Sequence, residues 1–239
     1  NGYMYMLNGG IDGGLARSVQ FAPINSSTGN VGPWNYTHNS LNDGTTFVDG
    51  FSGARSEFRT AAYNGYLYVV GGINGTTVYS DVQYAKLNSD GTVGAWTTDA
   101  DSSMTTTRYT FSLEVYAGRM YAFGGCSTNT AGLCGNSLDS VERVSINGDG
   151  SLGAWTTTGN SAMTTRRFDM VSAVYNGYLY AMTGCVSISL GNCSSVLSSV
   201  EYAPINADGT VGQWKLTNGV STGRLNASSA VHNGYLYMM

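Results

Sequence analysis

Four cysteines are the residues of this chain whose spacing most clearly suggests chemistry. They occur as Cys126 with Cys134 and as Cys185 with Cys193, and the separation within the two pairs is the same. Four cysteines allow three pairings, and the local pairing is favoured because each pair brackets a short segment. Zinc is the competing interpretation, but the spacing is not that of a zinc knuckle and no histidine lies near either pair. We therefore expect two local disulfides, which indicate an extracellular or cell-surface protein because disulfides persist in oxidising compartments.

A recurring arginine is the second candidate for a functional group. It lies nine residues before an Asn-Gly or Ala-Gly pair at four places, Arg55, Arg108, Arg167 and Arg224. The residue that follows it varies, as Ser56, Tyr109, Phe168 and Leu225. Such arginines could bind a ligand together with the aromatic neighbours Tyr109 and Phe168, because aromatic side chains suit a glycan or a protein anchor. In the structural alternative, each arginine donates hydrogen bonds to backbone carbonyls of a neighbouring repeat.

Catalytic and metal-binding motifs are poorly supported. The histidines are His38 and His232, and neither lies in a recognisable catalytic motif. Asn-x-Asp-Gly segments at Asp90, Asp149 and Asp208 resemble calcium loops, but no glutamate follows at the EF-hand spacing. Turns stabilised by the aspartate side chain account for these segments better. We therefore expect no enzymatic activity, no cofactor and no metal.

An internal repeat provides the elements that must position these residues. Five segments resemble one another, NGYMYM, NGYLYV, AGRMYA, NGYLYA and NGYLYM, and they begin at positions 1, 64, 117, 176 and 233. A second signature follows the first four segments and ends each time in a tryptophan, at Trp34, Trp96, Trp155 and Trp214. We place the repeats at approximately 1–54, 55–107, 108–166 and 167–223, and residues 224–239 begin another.

Each repeat is expected to form a four-stranded antiparallel meander, with strands a to d in chain order. Strands a and b flank the Asn-Gly or Ala-Gly pair, and Asn-Gly between two such runs predicts a type I′ hairpin. Strand b ends in Gly-Gly, or once in Thr183-Gly184, where we expect close approach of another backbone. Strand c has the form Val-Gln-Tyr-Ala, and strand d is placed around Val-Gly-x-Trp. Radial repetition of such sheets is a β-propeller.

The repeat resembles that of the kelch family. The family has an arginine before strand a, Gly-Gly at the end of strand b, an aromatic residue in strand c and a tryptophan in strand d. The third repeat matches with Arg108, Gly124-Gly125 and Trp155, whereas Arg143 replaces the aromatic residue found at Phe21, Tyr84 and Tyr202. The resemblance covers essentially the whole chain and implies an all-β, kelch-like propeller.

Counting the strands indicates that the ring is larger than this chain. Five b strands accompany only four c–d hairpins, so four blades do not close on themselves. We expect four repeats of a ring of roughly six to eight blades. Further blades outside this sequence, or self-association, would complete the ring, and the start at Asn1 inside a repeat indicates an excerpt of a longer protein.

The meander also determines which loops share a face. The a–b and c–d turns lie on a uniform face, whereas the d–a and b–c loops lie together on what we call the variable face. Its predicted loops are 36–54, 97–107, 73–80, 126–138 and 185–197. Variable loops on a rigid scaffold commonly carry recognition. We therefore expect a non-enzymatic extracellular binding module for a protein or glycan ligand, although the cystines could equally serve only to stabilise long loops.

Composition excludes two classes of partner and leaves two alternative functions open. Charged residues make up 11% of the chain, the net charge is -4, and no basic cluster occurs. We therefore expect no nucleic acid partner, because phosphate binding needs clustered positive charge. No apolar run approaches the roughly 18 residues that span a bilayer, so we expect no membrane insertion. The alternatives are a structural subunit of a cell-surface or filamentous assembly, and a catalytic propeller with its active residues in the channel or in other blades.

Overall fold

The fold consists of short β-strands. The computed structural model describes residues 2–7, 9–11, 14–37, 50–158, 161–189 and 191–239. Most of the predicted loop 36–54, including His38, lies outside these residues. The described residues form 25 strands and no helix, so the all-β prediction is confirmed. It follows that none of them forms a helix long and apolar enough to cross a membrane.

Four antiparallel sheets follow one another along the chain and are followed by a hairpin. The first sheet has three strands, β1 (Tyr3–Leu7), β4 (Val19–Pro23) and β5 (Asn35–Tyr36). The second sheet has β6 (Arg59–Tyr63), β7 (Tyr66–Val70), β10 (Val82–Lys86) and β11 (Thr97–Thr98). The third has β12 (Ser112–Tyr116), β13 (Arg119–Phe123), β16 (Val141–Ser145) and β17 (Thr156–Thr157). The fourth has β18 (Val171–Tyr175), β19 (Tyr178–Met182), β22 (Val200–Pro204) and β23 (Lys215–Thr217), and the terminal hairpin has β24 (Ser229–His232) and β25 (Tyr235–Met238).

A small two-stranded hairpin stands between strands b and c of each sheet. These b–c hairpins are β2 (Gly10–Ile11) with β3 (Gly14–Leu15), β8 (Ile73–Asn74) with β9 (Thr77–Val78), β14 (Asn129–Thr130) with β15 (Leu133–Cys134), and β20 (Ile188–Ser189) with β21 (Asn192–Cys193). The last three lie in the predicted variable loops 73–80, 126–138 and 185–197, and the first lies at the corresponding place of the first sheet. The loops are therefore ordered antiparallel structures.

The predicted turns between strands a and b are present. Asn64 and Gly65 have φ angles of 47° and 81°, and Ala117 and Gly118 have φ angles of 48° and 74°. Positive φ at both central residues is what a type I′ turn requires. The turn therefore keeps its form in the third repeat, where alanine replaces asparagine.

Strand d differs from its predicted position. The sequence placed it around Val-Gly-x-Trp, but the paired residues follow the tryptophan, as in Thr97–Thr98 after Trp96. Upstream, Val93 forms only an isolated bridge with Leu87, and the residues between leave the ladder. The partly buried Trp96 instead packs with its ring 5.9 Å from that of Phe51.

The hydrophobic core lies between neighbouring sheets. Tyr68 and Val70 of the second sheet pack with Met120, Val144 and Trp155 of the third. A similar cluster joins the third sheet to the fourth. The inner strands β6, β12, β18 and β24 contact one another in chain order, so the sheets stand side by side around an axis.

A backbone seam also joins the second sheet to the third, the third to the fourth, and the fourth to the terminal hairpin. The N–H of Gly72, at the end of strand b, donates a hydrogen bond to the carbonyl of Arg108 in the next repeat, at 2.8 Å. Gly125 and Arg167 form the same bond at 2.9 Å. A Cβ on the neighbouring Gly71 would come within 2.6 Å of the Arg108 carbonyl oxygen, which leaves no room for a side chain. The predicted close approach at Gly-Gly is therefore confirmed.

Candidate binding site

The recurring arginines are structural anchors within their own sheets. Arg108 is fully buried, and its Nη1 donates a hydrogen bond to the carbonyl of Gly124 at 2.8 Å. Its Nη2 lies 2.8 Å from Oε1 of Glu142, which is also fully buried. The alternative read from the sequence placed the carbonyl acceptors in a neighbouring repeat. That detail is corrected, because the guanidinium group lies between the end of strand b and the start of strand c of its own sheet.

The carboxylate partner also holds the loop that leads into the arginine. Glu142 accepts hydrogen bonds from the backbone N–H groups of Thr105 and Thr106, at 2.6 and 3.1 Å. Arg167 and Glu201 form the corresponding buried ion pair in the fourth sheet. Burial lowers the pKa of Arg108 and Arg167, and the partner carboxylates act against this change. The buried pairs therefore fix the d–a loops of the variable face.

Arg55 makes a variant of this anchor, and Arg224 is exposed. Arg55 is buried and pairs with Asp81 at 2.5 Å. Asp81 lies just before strand c, two positions before the site that Glu142 occupies in the third sheet. Gln83 occupies the position of Glu142 and hydrogen-bonds Asp81 at 2.9 Å. Arg224 lies in the loop before the terminal hairpin, where its Nη1 donates to the Thr222 carbonyl. The ligand-binding role of these arginines stays a prediction.

Tyr109 and Phe168 lie beneath the b–c hairpins. Only 5% and 4% of their surfaces are exposed, and both pack in one cluster with Ile73 and the disulfide cysteines. The Tyr109 hydroxyl donates to the carbonyl of Thr128, at 3.3 Å. These aromatic residues therefore support the hairpins from below, and their predicted contact with a ligand stays a prediction.

Two disulfides hold the hairpins of the third and fourth sheets, as predicted. Cys126 bonds to Cys134 and Cys185 bonds to Cys193, with Cα–Cα distances of 5.6 and 5.9 Å. Neighbouring hairpins are also linked, since Ser137 Oγ donates to the Val186 carbonyl at 2.8 Å. These cystines fit an oxidising environment. The variable face therefore carries a row of anchored hairpins.

A line of residues in the left-handed conformation marks the start of the inner strands. It contains the second residue after each arginine, and φ is 55° at Glu57, 50° at Thr110, 49° at Asp169 and 51° at Asn226. The N–H of Thr110 donates to the Glu57 carbonyl at 3.2 Å, and that of Asp169 donates to the Thr110 carbonyl at 3.1 Å. Positive φ is uncommon for non-glycine residues and unusual for a β-branched threonine. Such strain concentrates at binding and catalytic sites.

Sequence reasoning missed this line. Asp and Asn are often found in the left-handed region, so they can indicate it, but Glu57 and Thr110 are residue types that do not. The position two residues after each recurring arginine was the only available signal. The line became visible only when the hydrogen bonds between sheets were known.

A polar cleft of about 430 Å³ opens beside the left-handed residues. We call it the channel cleft, and the inner strands line it with polar side chains that include Arg59, Glu114, Asp169, Ser172, Asn226 and Ser229. The cleft begins next to the disulfide row, because its lining residue Asp169 follows Phe168, which packs in one cluster with the disulfide cysteines. It therefore brings charged residues to the variable face.

The charges at the cleft influence one another. Burial raises the pKa of Asp169, and Arg59 opposes this effect. Burial and repulsion from Asp169 raise the pKa of Glu57, against the attraction of Arg59. Burial also raises the pKa of Glu114, although Ser172 Oγ donates a hydrogen bond to its carboxylate at 2.6 Å. The cleft therefore offers both donors and acceptors to a polar ligand.

The Asn-x-Asp-Gly segments form turns held by the aspartate side chain. Asp149 Oδ1 accepts hydrogen bonds from the N–H and hydroxyl of Ser151, at 3.0 and 2.7 Å. Asp208 holds Thr210 in the same way. In the described part of the chain, no group of three His, Cys, Asp or Glu residues is arranged to hold a metal ion.

Four-stranded antiparallel sheets repeated around an axis define a β-propeller. The solved structure described as "Structure of YjhT" has this fold: its TM-score is 0.71, at 14% sequence identity, over 99% of this chain and 68% of that chain. Residues 54–84 match the Kelch motif. The motif match and the shared propeller fold agree with the resemblance to kelch repeats noted in the sequence. A comparison with curated proteins finds no match.

Proposed function

We propose that this chain is a non-enzymatic extracellular binding module that holds a glycan or protein ligand on its variable face. The observation that carries the proposal is the polar channel cleft beside two disulfide-held hairpins. Its volume of about 430 Å³ lies in the range of ligand pockets, roughly 300–1,000 Å³. Hairpins that are ordered before binding reduce the conformational entropy lost on binding.

The lining of the cleft favours a glycan over a protein. Arg59, Asp169 and Ser172 present a guanidinium group, a carboxyl group and a hydroxyl group to one small space. Sugar hydroxyls both donate and accept hydrogen bonds, so they can satisfy such a mixed set. A protein anchor would instead favour an aromatic-lined pocket, and the aromatic residues Tyr109 and Phe168 are buried beneath the hairpins.

A glycan array with the intact protein tests the proposal, followed by titration of the glycans that bind. Asp169→Asn keeps the shape of the side chain and tolerates the left-handed backbone, but removes the charge. We expect it to weaken binding at least about tenfold, a loss of about 1.4 kcal/mol. Asp149→Asn on the uniform face is the matched control and should bind normally. Equal binding by both variants would place the ligand elsewhere, and binding only to proteins in a parallel pull-down would exclude the glycan.

One observation favours the catalytic alternative. Glu57, Glu114 and Asp169 all have raised pKa values and lie at or beside the same cleft. Carboxyl groups with raised pKa values are candidates for general acids and bases. Chromatography of the bound glycan after incubation tests this alternative. A product that forms with the wild type and not with Glu114→Gln would show that the module is an enzyme.

A further inference from the structure

The third sheet lacks an aromatic pair that the other three sheets contain. The first residue of strand b and the middle residue of strand c carry neighbouring rings elsewhere. The ring centroids are 5.8 Å apart for Tyr3 and Phe21, 6.1 Å for Tyr66 and Tyr84, and 5.9 Å for Tyr178 and Tyr202. In the third sheet, Arg119 and Arg143 occupy these two positions, as the strand register shows. Two guanidinium groups therefore replace two rings in the same part of the sheet.

Arg119 takes over the packing role of the missing ring. In the second sheet, the ring of Tyr66 lies against Gly150 in the c–d turn of the next sheet, so closely that a Cβ there would come within 2.5 Å of Tyr66 Cε1. In the third sheet, a Cβ on Gly209 would come within 2.6 Å of Arg119 Cδ and 2.8 Å of its Cζ. The Arg119 side chain is therefore held in place by the neighbouring turn.

Arg143 is also positioned but not fully hydrogen-bonded. Its Nη1 donates to the carbonyl of Asp208 at 2.9 Å. Its Nε is buried and has no hydrogen-bond partner among the described residues. A buried donor without a partner costs roughly 1–3 kcal/mol. This N–H group is therefore free to pair with an acceptor that binds beside it.

No described carboxylate forms an ion pair with either of the two arginines. The ion pairs among the described residues involve Arg55, Arg108 and Arg167, and not Arg119 or Arg143. Hydrogen bonds from Thr210, at 2.8 and 2.7 Å, and to a smaller extent the attraction of Arg143 lower the pKa of the exposed Asp208 carboxyl, so Asp208 offsets the charge of Arg143 only in part. Two positive charges therefore lie side by side in a chain whose net charge is -4.

The two arginines line a cleft of about 200 Å³, together with Ser145 and Thr156. We propose that this cleft binds an oxyanion, that is, a phosphate, sulfate or carboxylate group. Guanidinium groups bind such groups through pairs of parallel hydrogen bonds. The volume is below that of most small-molecule pockets, roughly 300–1,000 Å³, so the site takes the charged group of a ligand. Arg119 follows the a–b turn, which places the cleft towards the uniform face.

NMR titration of the arginine side-chain N–H signals tests the proposal directly. Inorganic phosphate, sulfate and acetate are added separately, and sodium chloride keeps the ionic strength constant. We expect the Arg143 Nε–H signal to shift, with half-saturation at about 1 mM of the preferred anion. This dissociation constant corresponds to a binding free energy of about -4 kcal/mol. The order of the three affinities identifies the preferred oxyanion.

A double variant provides the matched control. Arg119→Tyr with Arg143→Tyr restores the aromatic pair of the second and fourth sheets, so we expect it to fold. Its thermal midpoint should no longer rise on addition of the anion, whereas that of the exposed control Arg166→Gln should rise as in the wild type. An unchanged rise in the double-tyrosine variant, or a wild-type NMR shift that never saturates, would overturn the proposal.

Discussion

The second and third sheets have the same backbone but different side chains at the positions that matter for function. Both contain a type I′ turn, a b–c hairpin, a glycine seam and a buried arginine. Five features of the second sheet differ at the equivalent positions of the third. The pair Asp81 and Gln83 becomes Ser140 and Glu142, Ile73 becomes Cys126, Ala61 becomes Glu114, Tyr66 becomes Arg119, and Tyr84 becomes Arg143. The backbone hydrogen bonds specify the sheet, and these side chains are free to vary within it.

The largest expected difference concerns the buried ion pairs. Glu142→Ala should lower the free energy of unfolding by about 3–5 kcal/mol, because it leaves the buried Arg108 charge without a partner. Asp81→Ala should cost about 1 kcal/mol, since 23% of the Asp81 side chain is exposed and water can replace it. Urea denaturation measures both values. Equal losses would mean that the burial of an ion pair does not determine its contribution to the free energy of unfolding.

The disulfide should give the next largest difference. Closing the eight-residue separation between Cys126 and Cys134 should contribute about 2.5 kcal/mol on the chain-entropy model. Replacing both cysteines with serine should therefore accelerate hydrogen exchange across residues 127–136. The hairpin at residues 73–78 has no cystine and serves as the internal control. Faster exchange there as well would indicate general unfolding.

The smallest expected effect is a dependence on pH that comes from Glu114. Its pKa is raised in the folded protein above the ordinary value of 4.5. The folded state therefore binds this proton more tightly than the unfolded state does, and stability falls as the pH rises from 4.5 through the raised pKa. Glu114→Ala restores the residue of the second sheet and should lack this decline. Denaturation at a series of pH values measures the two slopes, and parallel slopes would contradict the assignment.

Much of the fold could be predicted because the repeat marks turns and strands with residue types that have a physical reason to be there. Asn64-Gly65 marks the turn through its backbone preference, and Gly124-Gly125 marks the seam through the absence of side chains. Strand d could not be placed correctly, because the packing of Trp96 interrupts the ladder before Thr97. The same shift follows Trp155 and Trp214, which precede the strands Thr156–Thr157 and Lys215–Thr217, so it belongs to the packing of the repeat, which the local sequence does not indicate.

The candidate site was less accessible from the sequence. The variation after each arginine predicted ligand contact, but Tyr109 and Phe168 are buried and pack with the disulfide cysteines. The left-handed conformation of Glu57 and Asp169 arises from hydrogen bonds between sheets. The sequence showed that Arg143 departs from the repeat. However, the role of the Arg119–Arg143 pair could be inferred only once the pairing of both strands and the position of the turn in the next sheet were known.

The glycine seam has a consequence for how such a chain can grow. Each repeat presents the same glycine N–H at one side and the same arginine carbonyl at the other, so a repeat is complementary to a copy of itself. A gene duplication that begins and ends at equivalent points of two repeats, for example at Arg108 and Arg167, would recreate every seam without a new contact. The length of the array can therefore change in whole repeats, while each copy acquires its own cystine, carboxylate or arginine pair.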